Sequence, residues 1–251
     1  MISILLVFIA SIINRSNAFS FGSGGASDCP STRRDIISST IIASSTALLK
    51  PQDVFALEED TSPFTVQFTI QLDPVSNPNE LSNVEIEVHP DWAPLASARF
   101  KELCTSGFYN NCPFFRVLPG FIAQFGISSN TELNKQWLYC EEGSMNCKQP
   151  LLDEKRVVPN KKGTLSFASS GKNTRRTQVF INTVDNSGIP NFLDQQGFVP
   201  FARVTKGMDV IQQLNSEYGG KVSQGKAAYY GGEYFNKVFP RLSIIKEVKL
   251  I

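Results

Sequence analysis

The chain has 251 residues, enough for one large domain or two small ones, and 41% of them are hydrophobic. Its 24 Lys and Arg residues nearly balance its 23 Asp and Glu residues, so neither nucleic acid nor an anionic membrane surface is expected as a partner. A single histidine, His89, excludes a metal site built from several histidines and leaves only one base for any catalytic triad.

The chain begins with the pattern of an export signal. Residues 4–13 form an apolar run shorter than the roughly 20 residues that a transmembrane helix needs. Small residues follow at Ser16-Asn17-Ala18, as at a signal cleavage site. The sequence therefore predicts a signal peptide over residues 1–18, although no Lys or Arg precedes its apolar core.

A second targeting segment is predicted over residues 19–56. Its first part is rich in Ser and Gly and unsuited to a packed core. Arg33-Arg34 then precede an apolar stretch that ends in a V-x-A cleavage pattern, which is typical of a twin-arginine signal. Two signals in series, with an Ala-Phe junction at 18–19, resemble an address for the thylakoid lumen of a plastid. The mature domain would then span 57–251. The alternative is one signal peptide followed by a linker, giving an ER-lumen or secreted protein.

The mature domain is predicted to consist of many short strands and few helices. Residues 64–72 and 84–88 alternate apolar and polar side chains, as half-buried strands do. An apolar stripe at helical spacing predicts a helix over residues 94–104. Further strands are predicted at 114–118, 121–125, 164–168, 178–183, 198–204 and 242–250, and a second helix at 208–214. This series predicts a mainly β fold with a closed or sandwiched antiparallel sheet.

Three motifs resemble the signatures of one enzyme family. They are FFRVLPGFIAQFG at 114–126, GTLSFASSGKNTRRTQVFINT at 163–183 and FLDQQGFVPFARVTKGMDVI at 192–211. In this order and spacing they resemble the cyclophilin-type peptidyl-prolyl cis-trans isomerases, most of all a bacterial and plastid-like branch, and the likeness extends over residues 64–251.

The resemblance implies a closed eight-stranded antiparallel β-barrel capped by two α-helices. It implies an enzyme that accelerates rotation about X-Pro peptide bonds and thereby assists protein folding. Proline-containing polypeptides are the implied partners, and no cofactor or metal is needed. The mature form is expected to be a monomer without a membrane span.

The resemblance also assigns roles to individual residues. Arg116 matches the catalytic arginine of the family, with Gln124 and Phe180 beside it. The substrate-binding positions that it implies are Phe121, Ile122, Ala168, Ser169, Gln178, Phe192, Leu193 and Phe198. Without the motifs, the apolar members of this set would be equally suited to the core, and Arg116 to a surface ion pair.

Three positions depart from the family pattern. Phe192 stands where many members have Trp, Phe198 or Gly197 falls where they have His, and Ile127 replaces an Asp of the first signature. These changes predict altered specificity and weak binding of cyclosporin. They also leave an alternative open, in which the fold binds proline-containing partners as an assembly or chaperone module with little turnover.

Four cysteines of the mature domain form two close pairs without C-x-x-C spacing. Cys140 and Cys147 favour a disulfide in an oxidising compartment. For Cys104 and Cys112 a disulfide and two reduced thiols fit the sequence equally well. Segment 128–160, which contains Cys140 and Cys147, is either a partner-selecting element or a plain surface loop.

Overall fold

The computed structural model describes residues 61–139 and 148–251. Both predicted targeting segments, and the cysteine pair at 140 and 147, lie outside the described residues. Within the two described ranges, no helix is long and apolar enough to cross a membrane.

Nine strands and five helices make up the described part of the chain. The strands are β1 (Phe64–Gln71), β2 (Ser82–Val88), β3 (Cys112–Pro113), β4 (Arg116–Leu118), β5 (Ile122–Phe125), β6 (Thr164–Phe167), β7 (Val179–Asn182), β8 (Pro200–Lys206) and β9 (Ile244–Leu250). The helices are α1 (Pro94–Thr105), α2 (Thr131–Leu138), α3 (Met208–Gln212), α4 (Gln224–Tyr230) and α5 (Gly232–Val238). Every predicted strand and both predicted helices are present, with ends shifted by a few residues, whereas β3, α2, α4 and α5 were not predicted.

The nine strands form one antiparallel sheet in the order β3-β9-β1-β2-β8-β6-β7-β5-β4. The sheet curls into a half-barrel whose edge strands, β3 and β4, are consecutive in the chain. The predicted closed eight-stranded barrel is therefore wrong, and five helices rather than two accompany the sheet in the described residues. The reason lies in the pairing of the two edge strands: among the described strands β3 pairs with β9 and β4 with β5, so no ladder joins β3 to β4. Between them, Phe114 packs into the main core and Phe115 into a second cluster.

The main core fills the inside of the curl. In β1, the side chains of Val66, Phe68 and Ile70 are fully buried, while Thr65, Gln67 and Thr69 are partly exposed. The Phe68 ring lies 6.2 Å from that of Phe100 in α1 and 5.6 Å from that of Phe125 in β5. This period of two is the pattern that made the strands predictable from the sequence.

Helices α4 and α5 pack against each other and contribute to a second cluster of buried side chains. Its buried members are Phe115, Ile127, Val222, Ala227, Ala228, Phe235, Phe239 and Leu242. Ile127 is fully buried here, at the position where the resembled family has Asp. The apolar residue is therefore explained by the two added helices, since an unpaired carboxylate beneath them would be costly to bury.

The segment that follows residue 148 is anchored on α1. The carboxylate of Glu154 accepts hydrogen bonds from the backbone N–H groups of Leu95 (2.7 Å) and Ala96 (3.1 Å), in the first turn of that helix. The same carboxylate lies 3.0 Å from Nη1 of Arg175, and both charged side chains are buried. A buried ion pair thus fixes part of the segment that the sequence left as an irregular loop.

The cysteines of the first pair are free thiols, both buried. Burial raises the pKa of Cys112 to about 12 and raises that of Cys104 further above its ordinary value. The Cys112 thiol instead donates to the backbone carbonyl of Ile127 at 3.3 Å. Of the two interpretations of this pair, the structure has the reduced thiols and not the disulfide.

Candidate active site

The three predicted catalytic residues lie in one row across neighbouring strands. Arg116 of β4 is directly opposite Gln124 of β5, and Gln124 is directly opposite Phe180 of β7. Residues in register on antiparallel strands project to the same face of the sheet. The structure therefore brings these three side chains together, although 64 residues separate Arg116 from Phe180 along the chain.

An apolar cluster, separate from the main core, adjoins this row. Its buried members are Ile122, Phe180, Leu193 and Phe198, and Phe121 and Ala168 pack against them. The rings of Phe180 and Phe198 meet edge to face, with centroids 5.3 Å apart. All six residues were singled out from the sequence, and the structure collects them into one wall. Such a wall can hold a small apolar ring.

Three buried asparagines hold the loop that carries Leu193 and Phe198. The Asn160 side chain donates to the backbone carbonyl of Phe198 at 3.0 Å. Asn182 donates to Asn160 Oδ1 at 3.2 Å, and Asn186 donates to Asn182 Oδ1 at 2.7 Å. All three asparagines are fully buried. Sequence reasoning missed them, because asparagine is more typical of exposed turns than of a buried site.

A relay of glutamines leads away from the row. Gln124 Nε2 donates to Gln178 Oε1 at 2.8 Å, and Gln178 Nε2 donates to Gln224 Oε1 at 3.1 Å. Gln124 Oε1 is buried and has no hydrogen-bond partner among the described residues. An unsatisfied buried acceptor costs about 1–3 kcal/mol, so an N–H of a bound chain that reached this oxygen would recover a hydrogen bond. Gln178 was predicted for the site, whereas Gln224 was not.

Arg116 is half-buried, and burial lowers the pKa of its guanidinium. An arginine still remains charged under these conditions. Strand β4, which carries Arg116, is held by the segment before α4, because Val117 N donates to the carbonyl of Gly219 at 3.3 Å. The next residue, Gly220, lies beside the arginine, since a Cβ there would be 3.7 Å from Arg116 Nε. The arginine is thus partly withdrawn from water and flanked by the segment that leads into α4.

Besides Gln178, two predicted substrate-binding residues stand apart from the apolar cluster. Ser169 and Phe192 are half-buried, and neither belongs to that cluster. Phe192 adopts a φ of 51°, and its backbone N–H donates to the carbonyl of Gly188 at 2.7 Å. A left-handed conformation is uncommon for a bulky aromatic residue. The tight loop therefore sets the direction of this side chain.

The single histidine lies outside the row and the cluster. Its ring stacks on Trp92 with centroids 3.8 Å apart, and its Nε2 is 2.9 Å from Glu87 Oε2. His89 was given no catalytic role from the sequence, and its contacts are those of a surface packing residue at the end of β2.

The arrangement combines a fixed N–H donor, an apolar wall and a buried acceptor on one face of the sheet. Arg116 supplies the donor, the Phe180 cluster the wall and Gln124 the acceptor. An extended polypeptide with a ring-shaped side chain presents the complementary groups: a ring for the wall, an N–H for the acceptor and a backbone nitrogen for the donor.

Comparison with known proteins gives one consistent result. Residues 74–230 match the model of a family described as cyclophilin type peptidyl-prolyl cis-trans isomerase/CLD. A peptidyl-prolyl cis-trans isomerase of Acinetobacter baylyi is 32% identical over 145 residues, which cover 55% of this chain and 72% of the relative. Peptidyl-prolyl cis-trans isomerase B of Escherichia coli is 32% identical over 145 residues, covering 55% of this chain and 82% of the relative. Peptidyl-prolyl cis-trans isomerase A of Dickeya dadantii is 31% identical over 135 residues, covering 53% and 66%.

Proposed function

Because the chain belongs to the cyclophilin-type peptidyl-prolyl cis-trans isomerases and is an enzyme of that class, we propose that Arg116, Gln124 and Phe180 form its catalytic site. The obstacle to the reaction is the partial double bond of the amide, with a barrier of about 18–20 kcal/mol. Unaided, an X-Pro bond isomerises in tens to hundreds of seconds. The enzyme must therefore bind the twisted amide more tightly than either planar form.

Each part of the site has a role in this scheme. The proline ring rests on the apolar wall around Phe180 and stays in place while the preceding carbonyl rotates. In the twisted amide the proline nitrogen regains its lone pair, and an N–H of Arg116 donates to it. Gln124 Oε1 accepts a backbone N–H of the substrate. Acceleration by about five decades corresponds to lowering the barrier by roughly 7 kcal/mol.

The observation that carries the assignment is the row of Arg116, Gln124 and Phe180 in register across β4, β5 and β7. Its test is the isomerase activity of residues 57–251 with a proline-containing peptide. Arg116→Ala should lower kcat/KM at least about a hundredfold, or roughly 2.7 kcal/mol, because the transition state loses its donor. Arg203→Ala is the matched control, since Arg203 is exposed on β8 and pairs with Glu87 on the surface. A folded Arg116→Ala protein with wild-type activity would contradict the assignment.

A second candidate is a proline-binding assembly or chaperone module with little turnover. It is favoured by Phe198, which lies in the apolar wall near the position where relatives place a histidine, and by Phe192 in place of Trp. Binding and turnover of the same peptide separate the two functions. A chain that binds the peptide but accelerates its isomerisation less than about tenfold would support the module.

The proposal extends to the setting of the enzyme. It assists the folding of proline-containing polypeptides as a monomer in a plastid, in the thylakoid lumen, and it binds cyclosporin weakly. The support for the location is the sequence pattern of residues 1–56, with two apolar signals in series and a twin arginine, and the support for weak cyclosporin binding is Phe192 in place of Trp. The alternative location, the ER lumen or the outside of the cell, follows if only the first signal acts.

A further inference from the structure

Helix α4 contributes a side chain to the relay that ends in the active site. We propose that Gln224, the first residue of α4, is a positioning residue that fixes the amide of Gln124 through Gln178. This inference rests on the function proposed above, because it assigns a partner to the glutamine of that site.

The direction of the hydrogen bonds carries the argument. A glutamine amide has a donating end and an accepting end of nearly the same shape, so each amide can turn over unless its neighbour dictates the orientation. Gln224 offers its Oε1 to Gln178 Nε2, which leaves Gln178 Oε1 to accept from Gln124 Nε2. Gln124 Oε1 is consequently the end without a partner. The relay thus keeps an acceptor, and not a donor, available for the N–H of a substrate.

Reversal of the relay would have a defined consequence. If Gln178 presented its NH₂ to Gln124, the Gln124 amide would turn over and bring its own NH₂ into the free position. Two donors would then face each other when a peptide N–H arrived. The hydrogen bond that would be lost, from a substrate N–H to Gln124 Oε1, is worth about 0.5–1.5 kcal/mol. Its loss corresponds to a twofold to tenfold change in substrate affinity.

The position of Gln224 is fixed by the packing of its helix. Ser223 caps α4, and the buried Ala227 and Ala228 pack in the second cluster with Ile127. Asn134 of α2 donates to the carbonyl of Ala228 at 3.1 Å. The anchored helix fixes the backbone of Gln224, and from there its exposed side chain reaches Gln178 Nε2 with Oε1 at 3.1 Å.

The segment before α4 supports the same side of the site. Gly219 accepts from Val117 N, and Gly220 lies against Arg116, as described above. One stretch of chain, residues 219–224, therefore reaches both the arginine and the glutamine relay. We therefore assign to residues 219–224 the role of adjusting substrate binding in this enzyme.

A set of substitutions separates hydrogen-bond direction from simple loss of a side chain. Gln224→Glu keeps an acceptor for Gln178 Nε2 and should retain the wild-type KM. Gln224→Lys has only donors and should reverse the relay, while Gln224→Ala removes the restraint. Both should raise KM about threefold to tenfold with little change in kcat, because the contact is made equally in the ground state and the transition state. Lys226→Ala, on an exposed position of the same helix, is the control and should change neither constant.

The test measures kcat, KM and the melting temperature of each variant, and the Kd of a proline-containing peptide. In the Gln178→Ala background, adding Gln224→Ala should cause no further loss, since the relay is already broken. The inference is overturned if Gln224→Glu behaves like Gln224→Lys, if the loss falls in kcat, or if the losses of Gln178→Ala and Gln224→Ala add.

Arg116→Ala, measured in the same assay, distinguishes this inference from the proposed catalytic site. An inactive Arg116→Ala protein with normal Gln224→Ala and Gln224→Lys proteins refutes only the role of Gln224, whereas a fully active Arg116→Ala protein refutes the proposed site.

Discussion

Arg116 and Gln124 lie directly opposite each other in the β4–β5 ladder. Directly opposed residues on antiparallel strands have Cβ atoms about 4.5–5.5 Å apart. A half-buried guanidinium and a buried amide are therefore neighbours on one face, and both are carried by paired strands. A site built on paired strands is held more precisely than one carried on loops.

The turn between these strands sets their register. Phe121 N donates to the carbonyl of Leu118 at 3.0 Å, and Gly120 has a φ of 70°. Pro119 before that glycine gives the sequence of a type II turn, in which the third residue needs a positive φ. A register slip of one residue would turn Gln124 to the other face of the sheet, so the Pro-Gly turn is part of the site.

The first prediction concerns the shape of the cation. Arg116→Lys keeps a positive charge but replaces the planar fork by a point charge on a flexible stem. We expect kcat/KM to fall at least about tenfold, since the transition-state donor loses its fixed direction. The measurement is the isomerase assay on residues 57–251, with Arg203→Lys as control. Activity within twofold of wild type would mean that charge alone suffices.

The sheet was predictable for a physical reason, because alternating side chains mark β1 and β2. The apolar wall was predictable only through the resemblance of the motifs, which placed Phe180 and Leu193 in one pocket. Helix α4 was not predictable, because only Ala227 and Ala228 of its seven residues are buried. So short and weak an apolar pattern does not distinguish a helix from a loop. Its place depends on a close approach of Gly231 to Ser129 O, which would have to shift if the glycine carried a Cβ.

Gln224 illustrates the same limit at the site itself. Its hydrogen bond to Gln178 joins residues 46 positions apart, and no local pattern marks either as a partner. The open edges of the sheet were missed for a related reason. The sequence predicts one strand over residues 114–118, but Phe114 N donates to the carbonyl of Ser243 beside β9, whereas Arg116–Leu118 pair with β5. Contacts between distant parts of the chain decided both outcomes.

The second prediction concerns Phe192, which stands where many members of the family have Trp. Phe192→Trp adds both apolar area and an N–H donor, so it should tighten cyclosporin binding. Calorimetry with the wild type and the variant measures the change in Kd. Phe64→Trp in β1, four strands from β7 in the sheet, serves as the control. Equal affinities for wild type and Phe192→Trp would count against a contact at this position.

The third prediction concerns stability. Glu154→Gln removes the charge that faces the buried Arg175 and that receives the N–H groups of Leu95 and Ala96. Breaking one side of a buried ion pair costs about 3–5 kcal/mol, because the remaining charge stays out of water. We expect the free energy of unfolding in denaturant to fall by about 3 kcal/mol.

The exposed pair of Lys161 and Asp185 provides the control for this substitution. Asp185→Asn should change the free energy of unfolding by less than about 1 kcal/mol, as for exposed ion pairs in general. A loss no larger for Glu154→Gln than for Asp185→Asn would show that Glu154 does not anchor the segment to α1. Catalytic constants should change little in either variant, since Glu154 contacts α1 and Arg175 and not the row of Arg116, Gln124 and Phe180.

The last prediction joins the targeting segments to the thiols. If both signals act, the protein purified from its native cell should begin at Leu57, and Cys140 and Cys147 should be linked, since disulfides persist in oxidising compartments. Alkylation of the native, non-reduced protein should leave Cys104 and Cys112 unmodified, because burial raises the pKa of both thiols and excludes the reagent. After unfolding without reductant, only Cys104 and Cys112 should react with the alkylating reagent. N-terminal sequencing gives the first residue of the protein. Mass spectrometry of the digested protein shows the disulfide and the alkylated cysteines. A start at Phe19 would instead place the protein in the ER lumen or outside the cell, and five reactive thiols after unfolding, with Cys29 now among them, would show that Cys140 and Cys147 are reduced.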